Sequence, residues 1–340
     1  MIATIIGDGG WGTALACVLR RNGHTVRIWG PFPDYIAQLR GARENPKFLP
    51  GTPLPDGLEW TSDPAEAVRG TDLVVLAVPS QYFAETARKF APLLPANARR
   101  LSVTKGLDAQ TLRRMTEVAG DILGGGPVAA LSGPSFAEEV ARRQPTAVVA
   151  ACRDPDQVRA VQAAFNSETF RVYTSDDVIG VELGGALKNV IALAAGACDG
   201  LDFGYNTKAA LVTRGLAEIT RLGLAMGARA RTFSGLSGIG DLMLTCMGRL
   251  SRNRAFGERL GRGERAEDIL RGMTQVAEGA VNCRHACGLA ARAGVDMPIA
   301  EAVRRVVEEH ADPREAVRQL MTREPRPEHG PRGGLEETQP

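Results

Sequence analysis

The chain has 340 residues, with 41 Lys and Arg against 39 Asp and Glu, a formal net charge of +2 and 44% hydrophobic residues. That length suits two domains of about 150 residues each, and arginines mixed evenly with acids exclude the basic stripe of a nucleic-acid-binding protein. Met1–Ile6 has no basic lead and runs at once into glycines, so it reads as a buried strand and not a signal peptide; no apolar run reads as a membrane span.

Through about residue 178, short β-branched runs alternate with helical stretches, the signature of a parallel sheet covered by helices. Strands are predicted at Ala3–Ile6, Thr25–Trp29, Leu73–Val78, Arg100–Thr104, Val128–Leu131, Ala147–Ala151 and Arg171–Tyr173. Directly after the first, Gly7-Asp8-Gly9-Gly10-Trp11-Gly12 opens a helix at Thr13–Arg21. In that context G-x-G-x-x-G is a dinucleotide turn. Gly7 permits the turn, Gly9 lets a pyrophosphate approach the backbone, and Gly12 lets the helix pack on the sheet. The N-terminal part is therefore expected to be an α/β, Rossmann-type doubly wound sheet.

A site selective for NAD would carry an acid near the end of the second strand. The chain has Trp29-Gly30-Pro31-Phe32-Pro33 there, with neither that acid nor an arginine for a 2′-phosphate, so NAD and NADP both stay open. Asp63-Pro64 and Asp154-Pro155 each pair an N-cap with a proline at the first helical position. Lys105 follows the fourth predicted strand, and Ser135 to Glu138 has the spacing of a capping box. Ser135 is read equally as a cap or as a ligand-binding group.

After Asp177 the β-runs stop, and the chain to about residue 322 is predicted to be an all-helical second domain (179–322), followed by a disordered tail over 323–340. Only five of the cationic residues are lysines: Lys47, Lys89, Lys105, Lys188 and Lys208. Lys188 lies in a Gly- and Ala-rich helix, Val181–Gly196, where desolvation would lower its pKa toward the range of a general acid or base. Asn189 is beside it, and Asn206-Thr207-Lys208 lies in a predicted glycine-flanked turn. Asp241 and Thr245 are four apart and share a helix face, while Ser251-Arg252-Asn253-Arg254 offers groups suited to a phosphate. The segment has no histidine in these motifs, which leaves lysine as the base. The six cysteines are scattered in apolar segments, as expected of reduced thiols in a cytoplasmic protein. Cys283 and Cys287 lack a second ligand pair, so they read as helix packing and not as a metal site.

These motifs together resemble the bacterial-type NAD(P)-dependent glycerol-3-phosphate dehydrogenases. The resemblance rests on the glycine turn with Trp11–Leu15, Val103–Leu107, Leu131–Glu139, Glu182–Val190, Asn206–Ala210, Gly238–Asp241, Ser251–Arg254 and Val276–Glu278. It implies Lys188 as proton acceptor, with Lys105, Gly133, Ser135, Asp241, Ser251, Arg252 and Asn253 at a phosphorylated three-carbon substrate. It also implies Gly10, Trp11, Lys105, Ala137, Arg252, Val276 and Glu278 at an NAD or NADP cofactor. Pro31 departs from the Arg or His that often follows the second strand in that family. Two other readings remain, a two-domain β-hydroxyacid or ketoacid dehydrogenase and a non-catalytic dinucleotide-sensing module. An apolar helical domain joined to a sheet is expected to form a homodimer, and supply of glycerol 3-phosphate for phospholipid synthesis is what the resemblance implies.

Overall fold

The computed structural model describes residues 1–273, 277–325 and 327–328. One sheet holds β1 (Ile2–Ile6), β2 (Thr25–Trp29), β3 (Leu58–Thr61), β4 (Leu73–Leu76), β5 (Arg99–Ser102), β6 (Val128–Ser132), β7 (Thr146–Ala151) and β8 (Phe170–Ser175). Their order is β3-β2-β1-β4-β5-β6-β7-β8. The chain thus builds outward from β1 in one direction and then, from β4, in the other. In such a doubly wound sheet the crevice opens at the carboxyl ends of the strands flanking that reversal.

The unbroken apolar runs follow from burial on both faces. Ala3 and Ile5 pack with Leu15 and Leu19 on one face, while Ile6, Val74 and Leu76 pack with Phe83 and Phe90 on the other. Seven strands lie where the sequence puts them, within two residues at either end. β3 has no predicted counterpart, because four residues including Glu59 are too few to display a period.

The parallel sheet expected from the alternating pattern needs one correction: β6 and β7 are antiparallel. The only helix between them is the five-residue Ala137–Ala141. At about 7.5 Å it is too short to run back along a strand and restart in the same direction. The caps at Asp63 and Asp154 form as predicted, each side chain accepting from two backbone N–H groups of the following turn. The capping box does not. That helix begins at Ala137, and Ser135 Oγ instead donates to the Gly133 carbonyl at 2.9 Å.

From Val178 onward every regular element among the described residues is a helix. The central helix, Val178–Gly200, is by length and composition apolar enough to cross a membrane, which corrects the expectation that no such run exists; 89% of its apolar window is buried inside the protein. Helices Tyr205–Ala225, Asp241–Met247, Arg252–Gly261 and Glu278–Ala293 pack around it. Two adjacent glycines fix its approach to the sheet. A Cβ on Gly184 would overlap the Ser237 carbonyl, and one on Gly185 would stand 2.6 Å from Ser132 Oγ. Lys188 follows one turn later and is thereby delivered to the end of β6. Asn206–Lys208 lie in the first turn of the Tyr205–Ala225 helix, not in a glycine-flanked loop, because the chain turns helical directly after Gly204. Of the predicted tail over 323–340, residues 326 and 329–340 lie outside the described residues.

Candidate functional site

The glycine turn leaves β1 and enters the helix Gly10–Arg21. Gly7 has φ +125°, and a Cβ there would lie 2.6 Å from the Ala77 carbonyl oxygen, so both conformation and space demand glycine. Gly9 is different: a Cβ would meet nothing within 4 Å. This open face lies at a helix start whose first turn carries no acidic side chain. Its unpaired N–H groups suit a pyrophosphate. Gly12 is hemmed in by the Gly7 carbonyl, and Gly10 by the Phe48 carbonyl oxygen (2.5 Å to its would-be Cβ) and by Ala137 Cβ (3.8 Å). Ala137 is therefore brought to the turn, as the resemblance implies. Trp11 is half-buried with its Nε1 unpartnered among the described residues, and Pro31 is exposed just beyond β2. Val276 lies outside the described residues.

Lys105 follows β5 and Gly133 follows β6, on the same carboxyl edge of the sheet as the glycine turn. Between this edge and the central helix lies the completely buried carboxylate of Asp241. Its Oδ1 accepts from Lys188 Nζ, and its Oδ2 accepts from Lys105 Nζ at 2.7 Å. Lys105 also donates to the Gly133 carbonyl (3.2 Å). Lys188 donates to Thr245 Oγ1 (2.9 Å), which in turn donates to the Asp241 carbonyl (2.6 Å). The predicted i, i+4 pair of Asp241 and Thr245 thus grips one ammonium from two sides. Burial, the largest influence, lowers the Lys188 pKa to about 7; the Asp241 charge opposes this and the Lys105 charge adds to it. An amine that exchanges its proton near neutral pH is what a general acid or base requires.

A second network supports the first. Asn189 Nδ2 donates to Glu278 (3.1 Å), Asn253 Nδ2 donates to Asn189 Oδ1 (3.0 Å), and the Gly279 N–H donates to Asn253 Oδ1 (2.8 Å). Asn189 and Asn253 are thus engaged at both ends of their amides and act as struts that set Glu278. Burial raises the Glu278 pKa, against the positive charges of Arg252, Lys105 and Lys188. Ser251 Oγ caps the Arg252–Gly261 helix by accepting from the Arg254 N–H (3.2 Å). Arg254 pairs with Asp199 (2.7 Å) and Glu258 (3.1 Å), and Lys208 also pairs with Asp199. Lys208 and Arg254 are therefore turned to a different carboxylate from Asp241. The site proper combines three cations, Lys105, Lys188 and Arg252, with two acids, Asp241 and Glu278.

Asn45 has no place in the sequence reading. It is fully buried, and its Nδ2 donates to the Asp8 carbonyl (2.8 Å) and to Thr13 Oγ1 (2.9 Å), stitching the segment before β3 onto the glycine turn. Asn45-Pro46 is a turn signal in the sequence, but nothing local aims its side chain at a turn 37 residues away.

The chain matches the family model described as the NAD-dependent glycerol-3-phosphate dehydrogenase N-terminus over residues 2–158, and the corresponding C-terminus over 177–318. It is 50% identical over 329 residues to a glycerol-3-phosphate dehydrogenase [NAD(P)+] of Geobacter metallireducens, covering 96% of this chain and 98% of that one. Among solved structures it is similar to a glycerol-3-phosphate dehydrogenase from Coxiella burnetii, with a TM-score of 0.91 and 40% identity over 95% of this chain and 98% of the other. It is also similar to a yeast glycerol-3-phosphate dehydrogenase, with a TM-score of 0.80 and 27% identity over 94% and 98%.

Proposed function

The chain belongs to the NAD-dependent glycerol-3-phosphate dehydrogenase family, and we propose that it interconverts sn-glycerol 3-phosphate and dihydroxyacetone phosphate with Lys188 as the proton-transfer group. When bound, NAD(P) supplies the hydride acceptor or donor at its nicotinamide ring. As the alcohol is oxidised, the C2 hydrogen leaves as hydride while neutral Lys188 takes the hydroxyl proton. In the reverse direction the Lys188 ammonium polarises the ketone and returns that proton.

The observation that carries this reading is the buried Lys188–Asp241–Lys105 arrangement on the carboxyl edge of the sheet. Asp241 holds both lysines, and Thr245 restricts the Lys188 amine to one orientation. Arg252, at the start of the Arg252–Gly261 helix, is suited to the substrate phosphate, with Ser251 and Asn253 shaping that helix start. Asn189 acts by setting Glu278 and not by touching substrate. Gly133, through its carbonyl, and Ser135, through its bond to that carbonyl, fix Lys105. The open glycine turn at Gly9, flanked by Gly7, Gly10, Gly12, Trp11 and Ala137, fits the dinucleotide pyrophosphate.

The division into a dinucleotide domain through residue 178 and a substrate domain over 179–322 follows the same allocation of roles. We further read the protein as a cytoplasmic homodimer that supplies glycerol 3-phosphate for phospholipid synthesis. The thiols support the first element, all six being unpaired, and the exposed Met243, Met247 and Leu250 offer an apolar surface for the second. Light scattering at twice the chain mass is the expected result for the dimer.

The decisive assay is the initial rate of dihydroxyacetone phosphate reduction with NADH and with NADPH, using unphosphorylated dihydroxyacetone as control. Turnover confined to the phosphorylated ketone is expected. Equal rates with the control would remove the phosphate-anchoring role, and cofactor binding without turnover would favour the sensing alternative.

A further inference from the structure

A NAD-selective site usually keeps an acid at the end of the second strand, where it accepts from a ribose hydroxyl and repels a 2′-phosphate. In this chain that place is Gly30, immediately after β2. The space is nevertheless filled with an acid. A Cβ on Gly30 would stand 2.7 Å from both Cγ and Oδ2 of Asp8, so the Asp8 carboxyl group reaches across from the glycine turn into the volume that an acidic side chain at position 30 would enter.

Asp8 is only 7% exposed, and its Oδ2 is buried with no hydrogen-bond partner among the described residues. An orphaned carboxylate oxygen is costly inside a protein and calls for a partner that arrives from outside. Its backbone does not move freely to find one, because the Asp8 carbonyl accepts from Asn45 Nδ2 and, at 3.3 Å, from Thr13 Oγ1. Burial raises the Asp8 pKa, and the Lys47 charge partly opposes this.

We infer that Asp8 is the ribose-recognition acid of this chain, supplied from within the glycine turn, and that it makes the site prefer NAD(H) over NADP(H). This deepens the dinucleotide reading of the site and rests on it. The competing group is Lys47, whose ammonium lies 5.0 Å from the ring centre of Phe48 and 5.7 Å from that of Tyr35. It is the cation that would recruit a 2′-phosphate if Asp8 did not decide the matter. Of the other cations nearby in sequence, Arg40 donates to the Trp60 carbonyl at 3.0 Å and Arg43 pairs with Asp56 at 3.7 Å.

The test is titration calorimetry of NADH and of NADPH against the full chain, without substrate, so that binding is read apart from turnover. The wild type is expected to bind NADH about tenfold more tightly than NADPH, and Asp8→Asn to erase most of that ratio. A second variant, Asp8→Gly with Gly30→Asp, moves the acid to the usual place and is expected to restore the preference. Gly30 is not among the positive-φ glycines, and with Asp8 removed the near neighbour of the new Cβ is the flexible Ile36 Cδ1 at 2.6 Å. The double variant also carries the comparison if Asp8→Asn does not fold. An unchanged affinity ratio in Asp8→Asn overturns the inference. So does tighter NADPH binding by the wild type that Lys47→Gln abolishes. Failure to bind either dinucleotide would overturn the dinucleotide reading itself, and the role of Asp8 with it.

Discussion

Lys188 owes its proposed role to opposing influences on one nitrogen. Burial and the neighbouring Lys105 charge push its pKa down, Asp241 pulls it up, and the outcome is about 7. Above that value the amine is neutral and able to take a proton, so the rate of glycerol 3-phosphate oxidation is expected to rise with pH through about 7. Asp241→Asn removes the main charge that holds the pKa up. The midpoint of the oxidation profile should then move to lower pH, alongside a loss of stability from leaving two lysines without their shared carboxylate. Lys188→Arg stays protonated across the whole range. It should lose on the order of 10²- to 10⁴-fold in turnover at every pH while NADH binding, measured by calorimetry, is kept. A near-normal rate or an unshifted profile in these variants would remove Lys188 from the proton transfer.

Between elements, the closest contact is that of the central helix with the Arg252–Gly261 helix. A Cβ on Gly257 would overlap the Leu193 carbonyl, and one on Gly196 the Arg254 carbonyl; both obstacles are backbone and cannot swing aside. Gly257→Ala is therefore expected to destabilise by about 1–3 kcal/mol in urea unfolding, despite the better helix propensity of alanine. Because Ser251, Arg252 and Asn253 begin the displaced helix, KM for the phosphorylated substrate should rise more than kcat falls. Gly120→Ala in the helix Met115–Ile122, where a Cβ meets nothing within 4 Å, should instead gain up to about 1 kcal/mol. Equal effects of the two substitutions would contradict the close packing. The same contrast between local and distant information explains what the sequence disclosed. Runs buried on both faces, the turn after β1 and a lysine inside an apolar helix are local patterns, and each was legible. Ser135 and Ser251 were not, since one hydroxyl can cap a helix or bind a ligand and only the exact helix start decides. Ser135 was read as a possible cap and is none; Ser251 was read as a phosphate-binding group and caps the Arg252–Gly261 helix. Asn45, Asp8 and the Asn189–Asn253–Glu278 struts depend on partners brought together by topology, and no periodicity announces them. The reversed β7 belongs with these, because the length of one short helix sets its direction.

Across the whole molecule, helices from distant parts of the chain are tied by buried carboxylates, and this makes stability depend on pH. Glu218, on the Tyr205–Ala225 helix, is 2% exposed and accepts from the first N–H groups of the Pro298–Glu308 helix, Ile299 at 2.9 Å and Ala300 at 3.4 Å. Those N–H groups favour the ionised form, but burial outweighs them and raises the pKa from 4.5 to about 7. Between these values the unfolded chain has released its proton while the folded chain still holds it, so this group's stabilisation, fully present below 4.5, is lost as pH rises through about 7. The shift corresponds to up to about 3 kcal/mol. Lys188 acts in the opposite sense over a higher range, since its lowered pKa makes folding more favourable as pH rises from about 7 toward 10.5. Comparing wild type with Glu218→Gln isolates the carboxyl group from Lys188 and every other titrating residue. Gln keeps an acceptor for the Ile299 N–H and never ionises, so the two proteins should differ least at pH 4.5 and the variant should gain relative to wild type through pH 8. A difference in urea unfolding free energy that stays constant over that range would mean that Glu218 is ionised in the fold throughout, with the helix start outweighing its burial.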